Sequence, residues 1–575
     1  MTTTIPNPSQ GIGPTDGPRA PYLSRRSFLA GSLGIAAAAA LAGCTDRSGA
    51  TGSAASPDAA SLVVAVPALA PTLDGVVGGN GISLESFEMN ANLQAGLVRN
   101  PYVKGETAGT VVQDFNTYVG YLAEDYTVSA DGLTYTFRLR QGLRSPLGNT
   151  INADDVIYSF ERKWQTATYA KSAWADFGGP DAISKIDERT VAFRISTVGF
   201  GQTFLGLLAN LQGHIYDSTA LRQHSSPDDP YALEWAAANG GWGLGPYYVT
   251  SQIPDQQMIL SANPHYALGE PHIQRVTLRV VTDAGTRAVL VLSGDADVAE
   301  GVLPKDQAKL SGKRGVVVPR AQNPIEYADL TLVTNKAPFD DLRIRQAFAY
   351  AIPYDEIMRQ VYSGRAVPMV GNINPSTSNY STDRLPRYTY DPRRAKDLLA
   401  QSSRPRGVSF GLTVSTATPD LVNACILIKS YAADAGFDVQ IDQLSSSEFG
   451  TARTKATQQA IIYRNRCQVQ TPEYACTTFF KPDDDPSSPS RWDDEMNAEF
   501  WTYIQRISAN GDPLSVASGH LWEQAQTLLI ESATEIFICA IQPSQVFRDG
   551  VQGFAYRSEN AIDFGNVSLG SVSSS

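Results

Sequence analysis

Apolar positions recur along this chain in three rhythms. From Ser27 to Gly43, small and apolar residues run on behind Arg25-Arg26 and stop at Cys44. Residues 44–61 then carry Gly, Ser, Ala, Thr, Asp and Pro with no period, the composition of a flexible tether. From Leu62 the pattern becomes that of a folded α/β body. Leu62 to Val66 reads as a short apolar strand. A turn-rich loop to Gly81 leads to a helical stretch with Leu84, Phe87, Asn90, Ala91 and Leu97 near one face. From Thr134 to Arg140 the alternation is strict, with Tyr135, Phe137 and Leu139 on one face and Thr134, Thr136, Arg138 and Arg140 on the other. Asp131-Gly132 turns the chain ahead of it. Asn152 is placed to cap a helix whose Asp154 and Asp155 suit the positive dipole end, and whose Val156, Ile157, Phe160 and Trp164 form the buried stripe.

The second half of the chain repeats the strand and helix rhythm. A helix from Ala284 to Leu292 is stopped by Gly294, and Ile344, Phe348 and Ala351 form the stripe of a helix from Leu342 to Ile352. Pro353 starts another, ending near Gly364. Asp391-Pro392 is an N-cap with proline at the first helical position. A long helix from Pro419 ends at Gly436 ahead of an alternating strand from Phe437 to Ile441. Ile461 to Tyr463 predicts a strand, and the polar run from Arg464 to Cys476 predicts a long loop leaving it.

The apolar run before Cys44 is shorter than the roughly 20 residues of a spanning helix and is made of Ala and Gly, so it reads as an export signal. Ser24-Arg-Arg-Ser-Phe-Leu29 resembles a twin-arginine signal, and Leu41-Ala-Gly-Cys44 resembles a bacterial lipobox. That implies a signal peptide over residues 1–43, lipidation of Cys44 and a lipid anchor to the extracytoplasmic face of the cell membrane. Residues 1–43 hold three arginines and Asp16 as their only charges, so their removal takes the net charge from −12 to −14. Such a surface repels nucleic acid. With 42% apolar residues, the remaining chain exceeds what one core supports, and two or three domains are expected.

Motifs of catalysis are absent from the sequence. It has no Gly-x-Ser-x-Gly elbow, no phosphate-binding glycine loop and no His-Glu-x-x-His helix. His214, His224, His265, His272 and His520 lack ligand spacing and are expected at the surface or locally bonded. Asp483 to Asp485 reads as a solvated turn. No catalytic residue, metal site or cofactor is expected.

Several linked segments carry a resemblance. Residues 129–143, Ser-Ala-Asp-Gly-Leu-Thr-Tyr-Thr-Phe-Arg-Leu-Arg-Gln-Gly-Leu, are followed by 151–162, Ile-Asn-Ala-Asp-Asp-Val-Ile-Tyr-Ser-Phe-Glu-Arg. Downstream come Gly243-Leu-Gly-Pro-Tyr247, Asn263-Pro-His-Tyr266, Gly269-Glu-Pro271, and Ala337-Pro-Phe-Asp-Asp-Leu-Arg-Ile-Arg-Gln-Ala347. Tyr390-Asp-Pro-Arg-Arg394 completes the series. Together these resemble the extracellular solute-binding proteins of family 5, the peptide and nickel receptors of ABC importers.

The resemblance implies an α/β, two-lobed periplasmic-binding-protein type II fold with an extra subdomain in the first lobe. Residues 58–100, 242–325 and 540–575 would form lobe I, 101–241 its inserted subdomain and 326–539 lobe II. It also implies a monomer that captures an (oligo)peptide or similar small polar solute between the lobes and delivers it to membrane permease subunits. An oligosaccharide, opine-like or metal-chelate ligand is the alternative within this fold, and an exported hydrolase the alternative outside it.

Ligand contacts are expected where the family's cleft-facing segment falls, from Ala460 to Lys481. The family's Asp-Tyr-x-Asp-Pro-like run is replaced there by Glu473-Tyr474, alongside Arg464, Arg466, Gln468 and Gln470. The change favours an anionic, amide-rich or sugar ligand over a free-amine peptide. Asn80, Gly81 and Trp242 are further candidates, as is Trp492. Cys467 and Cys476 bracket the loop, and a disulfide between them would stabilise the fold by about 2.5–3 kcal/mol; the alternative is two unpaired small apolar side chains. Cys425 and Cys539 read as core residues.

Overall fold

Three sheets organise the computed structural model, which describes residues 60–570 apart from 75–83, 106–107, 167–170, 172–173, 175–176, 321–325, 375–376, 378, 480–493, 543–544, 556 and 558–561. Cys44, Asn80, Gly81, Trp492 and Asp483 to Asp485 lie outside the described residues.

The apolar strand Ser61–Val66 stands inside a seven-stranded sheet, in the order Tyr247–Ile253, Gln257–Ala262, Arg275–Val280, Ser61–Val66, Val298–Ala299, Val546–Arg548, Val316–Val317. It runs parallel to both neighbours, and strands paired on both sides and covered on both faces carry continuous apolar sequence. The second sheet has six strands, in the order Ala366–Val367, Glu535–Ile541, Glu326–Leu332, Ala460–Arg466, Val408–Ser415, Phe437–Leu444. Its last two strands are parallel because the helix Pro419–Ala433 crosses between them, ended by Gly436 at φ 96°. A four-stranded sheet is built from residues between the first and second strands of the seven-stranded sheet: Ala123–Val128, Thr134–Leu139, Thr190–Arg194 and Ile183–Asp187. Because Val546–Arg548 returns to the first large sheet, the chain passes between the two large sheets twice, after Val317 and after Ile541. Among the described residues, no helix is long and apolar enough to cross a membrane.

Local pattern and structure agree where the partners are near in sequence. Tyr135, Phe137 and Leu139 are buried, Asn152 Oδ1 accepts from Asp154 N at 2.7 Å, and Asp391 caps the helix Pro392–Ala400. Other expectations change. Leu97 is fully buried but lies beyond the helix Leu84–Leu93. The helix after Pro353 is α-helical only over Tyr354–Glu356 and continues as a π-turn, Ile357–Val361. In the helix Ala153–Thr166, Ile157 and Trp164 are only half-buried while Arg162 and Lys163 are buried. Their partners explain it: Arg162 pairs with Asp74, and Lys163 donates to the His214 carbonyl oxygen. His214 is a core residue as well. Among the described residues its ring nitrogens have no hydrogen-bond partner, and burial pushes its pKa well down.

Candidate functional site

The strand Ala460–Arg466 extends further than its apolar core predicts, and the expected loop after it is short. Thr471 Oγ1 accepts from Tyr474 N at 3.4 Å, and Pro472 opens the helix Pro472–Phe479. Thr-Pro-Glu is an N-cap followed by proline at the first helical position, a signal that marks this helix in the sequence.

Two arginines leave the end of that strand already neutralised. Arg466 pairs with Glu326, its register partner on the neighbouring strand, and Arg464 sits 2.7 Å from Asp420 and 3.6 Å from Glu326. Tyr362 OH donates to Asp420 at 2.9 Å. Burial alone would raise Glu326 and Asp420, but the arginines hold both carboxyls below their ordinary value. The Arg466 guanidinium also lies 5.7 Å from the ring centre of Phe87, on the helix Leu84–Leu93 that follows the first sheet's central strand.

Beyond Arg466 the chain reaches the residues around the four-stranded sheet. Gln212 Nε2 donates to Gln468 Oε1 at 2.7 Å, the Thr203 and Thr471 hydroxyls are 2.6 Å apart, and Thr203 Oγ1 donates to Glu473 Oε2 at 3.3 Å. Val469 and Tyr474 join the apolar cluster formed by Phe204, Leu207 and their neighbours. The fit needs Gly206, where a Cβ would stand 2.2 Å from Val469 Cγ1. Glu473 is 1% exposed, and burial pushes its carboxyl up to about 8 despite hydrogen bonds from Thr203 and Thr471, so it is largely protonated at neutral pH.

Cys467 and Cys476 are separate thiols, not a disulfide. Both turn to Asn372: Cys467 Sγ is 4.0 Å from its carbonyl oxygen and Cys476 Sγ 3.8 Å from its Oδ1. Asn372 is held by Ala475 and Gln526, each through 2.8 Å hydrogen bonds, so each thiol has a polar partner in place of the other sulfur. Gln470 accepts from Asn374 Nδ2 at 2.9 Å and donates to the Cys467 carbonyl. In denatured protein purified without reductant, alkylation should label Cys425, Cys467, Cys476 and Cys539 in full; a 467–476 linked peptide in the mass spectrum would contradict this geometry.

Of the sequence candidates, Arg466, Gln468, Gln470, Glu473 and Tyr474 therefore fall on one segment that reaches across to the first sheet's side. Trp242 does not join them. It is 1% exposed, packs edge-on against Tyr216 at 5.1 Å and donates through Nε1 to the Asn239 carbonyl, which makes it a core residue. Cys425 and Cys539 are core residues too. Sequence reasoning missed Phe87, Thr203, Gln212, Glu326, Asn372 and Asp420. Thr203 and Gln212 left only a faint trace, as two of the four polar positions, with Gln202 and Asn210, in the stretch around Phe204, Leu205, Leu207, Leu208 and Leu211. The assembled surface offers hydroxyls, amides and paired charges, and among the described residues no group of three metal-ligating side chains occurs.

Comparison with known proteins bears on the family and the fold. A family model described as bacterial extracellular solute-binding proteins, family 5 middle, matches residues 117–487. The chain is 25% identical to the probable di/tripeptide-binding protein 5 of Pseudomonas aeruginosa over 89% of this chain and 98% of that protein. It is 29% identical to heme-binding protein A of Haemophilus influenzae over 50% of this chain, spanning about half (54%) of that relative. Among solved structures it is similar to an ABC transporter-associated periplasmic binding protein, DppA from Helicobacter pylori in complex with peptide STSA. There the TM-score is 0.74 and the identity 21%, with 88% of this chain and 98% of that chain covered. MoaA from A. tumefaciens R10 in complex with mannopinic acid matches with TM-score 0.74 and 21% identity over 89% of this chain and all of that one (100%). The fold is thus the two-lobed α/β fold of periplasmic binding proteins.

Proposed function

The chain belongs to the bacterial extracellular solute-binding proteins of family 5, and from that premise we propose that it is the lipid-anchored binding subunit of an ABC import system, capturing a short peptide or similar small polar solute between its lobes. Members of this family bind solutes for transport and are not enzymes. The observation that carries the ligand class is the character of the facing surfaces. Gln468, Gln470, Asn372, Asn374, Thr203 and Gln212 bring amides and hydroxyls together, here paired with one another or with backbone, and such groups suit peptide backbone better than a strongly ionic group. Arg464 and Arg466 are engaged by Asp420 and Glu326, so an anionic ligand would have to displace a carboxylate. Glu473, largely protonated at neutral pH and turned to Thr203, is not a ready counter-ion for a free amine.

In this reading the seven-stranded sheet is the centre of lobe I, drawn from 58–100, 242–325 and 540–575, with 101–241 inserted. The six-stranded sheet is the centre of lobe II, 326–539. Residues 1–43 are removed and Cys44 is lipidated, which keeps a monomeric receptor beside its permease on the extracytoplasmic face of the membrane. Ligand favours the closed form because only that form touches it from both lobes.

Native mass spectrometry of the protein mixed with a di- to pentapeptide library is expected to show one peptide retained per chain, uncleaved. Cleavage products accumulating with time would instead make it a hydrolase, and retention of an oligosaccharide, opine-like or metal-chelate compound in a parallel library would move the ligand class.

A further inference from the structure

The six-stranded sheet has an open edge. The strand Glu535–Ile541 pairs with Glu326–Leu332 along one side, but on the other only Ala540 and Ile541 meet the strand Ala366–Val367. That second pairing stops at the bulge where Ala328 opposes Cys539 and Asp329 opposes Phe537. The register fixes where the backbone beyond the bulge points. Leu332 N donates to the Thr534 carbonyl at 2.8 Å, and hydrogen-bonded pairs alternate with non-bonded ones along an antiparallel ladder, so Ile536 and Leu330 form the next bonded pair. The N–H and C=O groups of Glu535 and Phe537 therefore point away from that ladder, and among the described residues no backbone pairs with them.

They border a cleft of about 560 Å³, within the size range of small-molecule sites. Its lining includes four consecutive residues of the strand, 535–538. Side chains alternate between the faces of a sheet, so such a run marks a cleft along the edge. Residues 368–371 line it as well, which makes it a slot between two chain segments. Ile536 and Ile538 pack with Tyr354, Met358 and Tyr388 on one face of the sheet, and Phe537 clusters with Met369 on the other. The rings are fixed: Tyr354 OH donates to the Ala349 carbonyl at 2.9 Å, and Tyr388 packs edge-on to Tyr350 at 4.8 Å. Asp355 and Arg387, both exposed, line the slot with one charge of each sign. At about 3.4 Å per residue, Phe537 and Glu535 lie roughly 14–20 Å from the end of the strand where Glu326 and Arg466 stand.

We propose that this slot is a second peptide site, in which a tripeptide with a large apolar or aromatic middle residue adds to the sheet as an antiparallel strand. Its first residue stands opposite Phe537 and its third opposite Glu535, and the two exchange four backbone hydrogen bonds with the strand edge. Directly opposed residues share a face, so the middle side chain, opposite Ile536, lies against Tyr354, Met358 and Tyr388. In a free tripeptide the ammonium takes the place of the first N–H and the carboxylate that of the last C=O, charges that Asp355 and Arg387 complement. Backbone groups left unpaired in a buried strand cost free energy, and strand addition restores their bonds. Glu535 is 2% exposed and Phe537 7%.

The test is residue-resolved amide hydrogen exchange on the whole protein, with the tripeptide Thr-Phe-Thr as probe and the same peptide N-methylated at its last residue as control. With a dissociation constant of about 1 mM, about 5 mM peptide leaves about one site in six open. Exchange at the Glu535 and Phe537 N–H groups should then slow about sixfold, while Ile536 N–H, already bonded to Leu330, stays unchanged. The methylated peptide lacks the N–H that meets Glu535 and should slow neither. Met358→Trp, which fills the slot from a half-buried position, should abolish the slowing by the parent peptide. No slowing at about 5 mM, equal slowing by the methylated peptide, or slowing retained in Met358→Trp would each overturn the proposal. If Met358→Trp does not fold, the two peptides decide on the wild-type protein. Binding this weak does not add a second peptide to the one retained per chain in the native spectrum, so failure here leaves the transport reading intact.

Discussion

Between pH 5 and 8 the wild-type protein loses stability relative to its Glu473→Gln variant by about 1.4 kcal/mol per pH unit, and above pH 8 the gap stops growing. The expectation follows from where Glu473 lies. Its side chain is buried against Thr203 and Thr471, and its carboxyl is pushed up to about 8. In the unfolded chain, or in a form with the lobes parted, a glutamate returns toward about 4.3. The native state therefore binds more protons across that window, and stability falls as pH rises through it. Below about 4.3 both states are protonated, and above about 8 both are ionised, so the dependence ends at either side. Glutamine keeps a group able to hydrogen-bond both threonines and removes the proton. Asp329, also pushed up to about 8, titrates in both proteins and cancels in the difference. Paired urea unfolding curves at four pH values measure the slope. Parallel curves would mean that Glu473 is solvated in solution and that its contact with Thr203 does not persist. The same sign applies to closure, so X-ray scattering should give a smaller radius of gyration at pH 5.5 than at pH 8 for the wild type only.

What the sequence could reveal was set by how far apart the interacting residues lie. Asn152, Gly294, Asp391-Pro392 and Gly436 act on backbone within a turn of themselves, and each performs as its local chemistry dictates. The family-like segments extend this reach, and the two-lobed fold was legible from them. The contacts between residues far apart in sequence were not. Thr203 meets Thr471 across 268 residues and Gln212 meets Gln468 across 256, and neither pair leaves a periodic trace. The cysteines misled for a related reason. Ten-residue spacing suits a disulfide, but the thiols turn instead to Asn372, far away in sequence and itself held by Gln526. Trp242 beside three glycines looked like a loop aromatic, whereas Tyr216 and the Asn239 carbonyl enclose it.

Arg162 is the strongest case of a distant partner deciding the structure, and its loss of that partner should be the most damaging single change. Asp74→Ala is expected to destabilise the protein by about 3–5 kcal/mol, because it leaves a guanidinium with no counter-ion inside the apolar cluster. The side chains of Asp74 and Arg162 are both 0% exposed. Arg162 Nε donates to the Tyr231 carbonyl at 3.0 Å, and its guanidinium lies 5.4 Å from the Tyr216 ring and 5.7 Å from that of Trp242. These rings favour the cation but do not neutralise it. Replacing both partners together, Asp74→Leu with Arg162→Met, should cost much less than Asp74→Ala, since apolar side chains of similar size demand no compensation. Urea unfolding of the three proteins, followed by tryptophan fluorescence, orders them. A loss below 1 kcal/mol in Asp74→Ala would show that water reaches Arg162. The consequence extends beyond the pair: the helix bearing Arg162 packs in the same cluster as the Thr203 helix and Tyr474, so weakening it loosens the surface on which Val469 and Tyr474 pack.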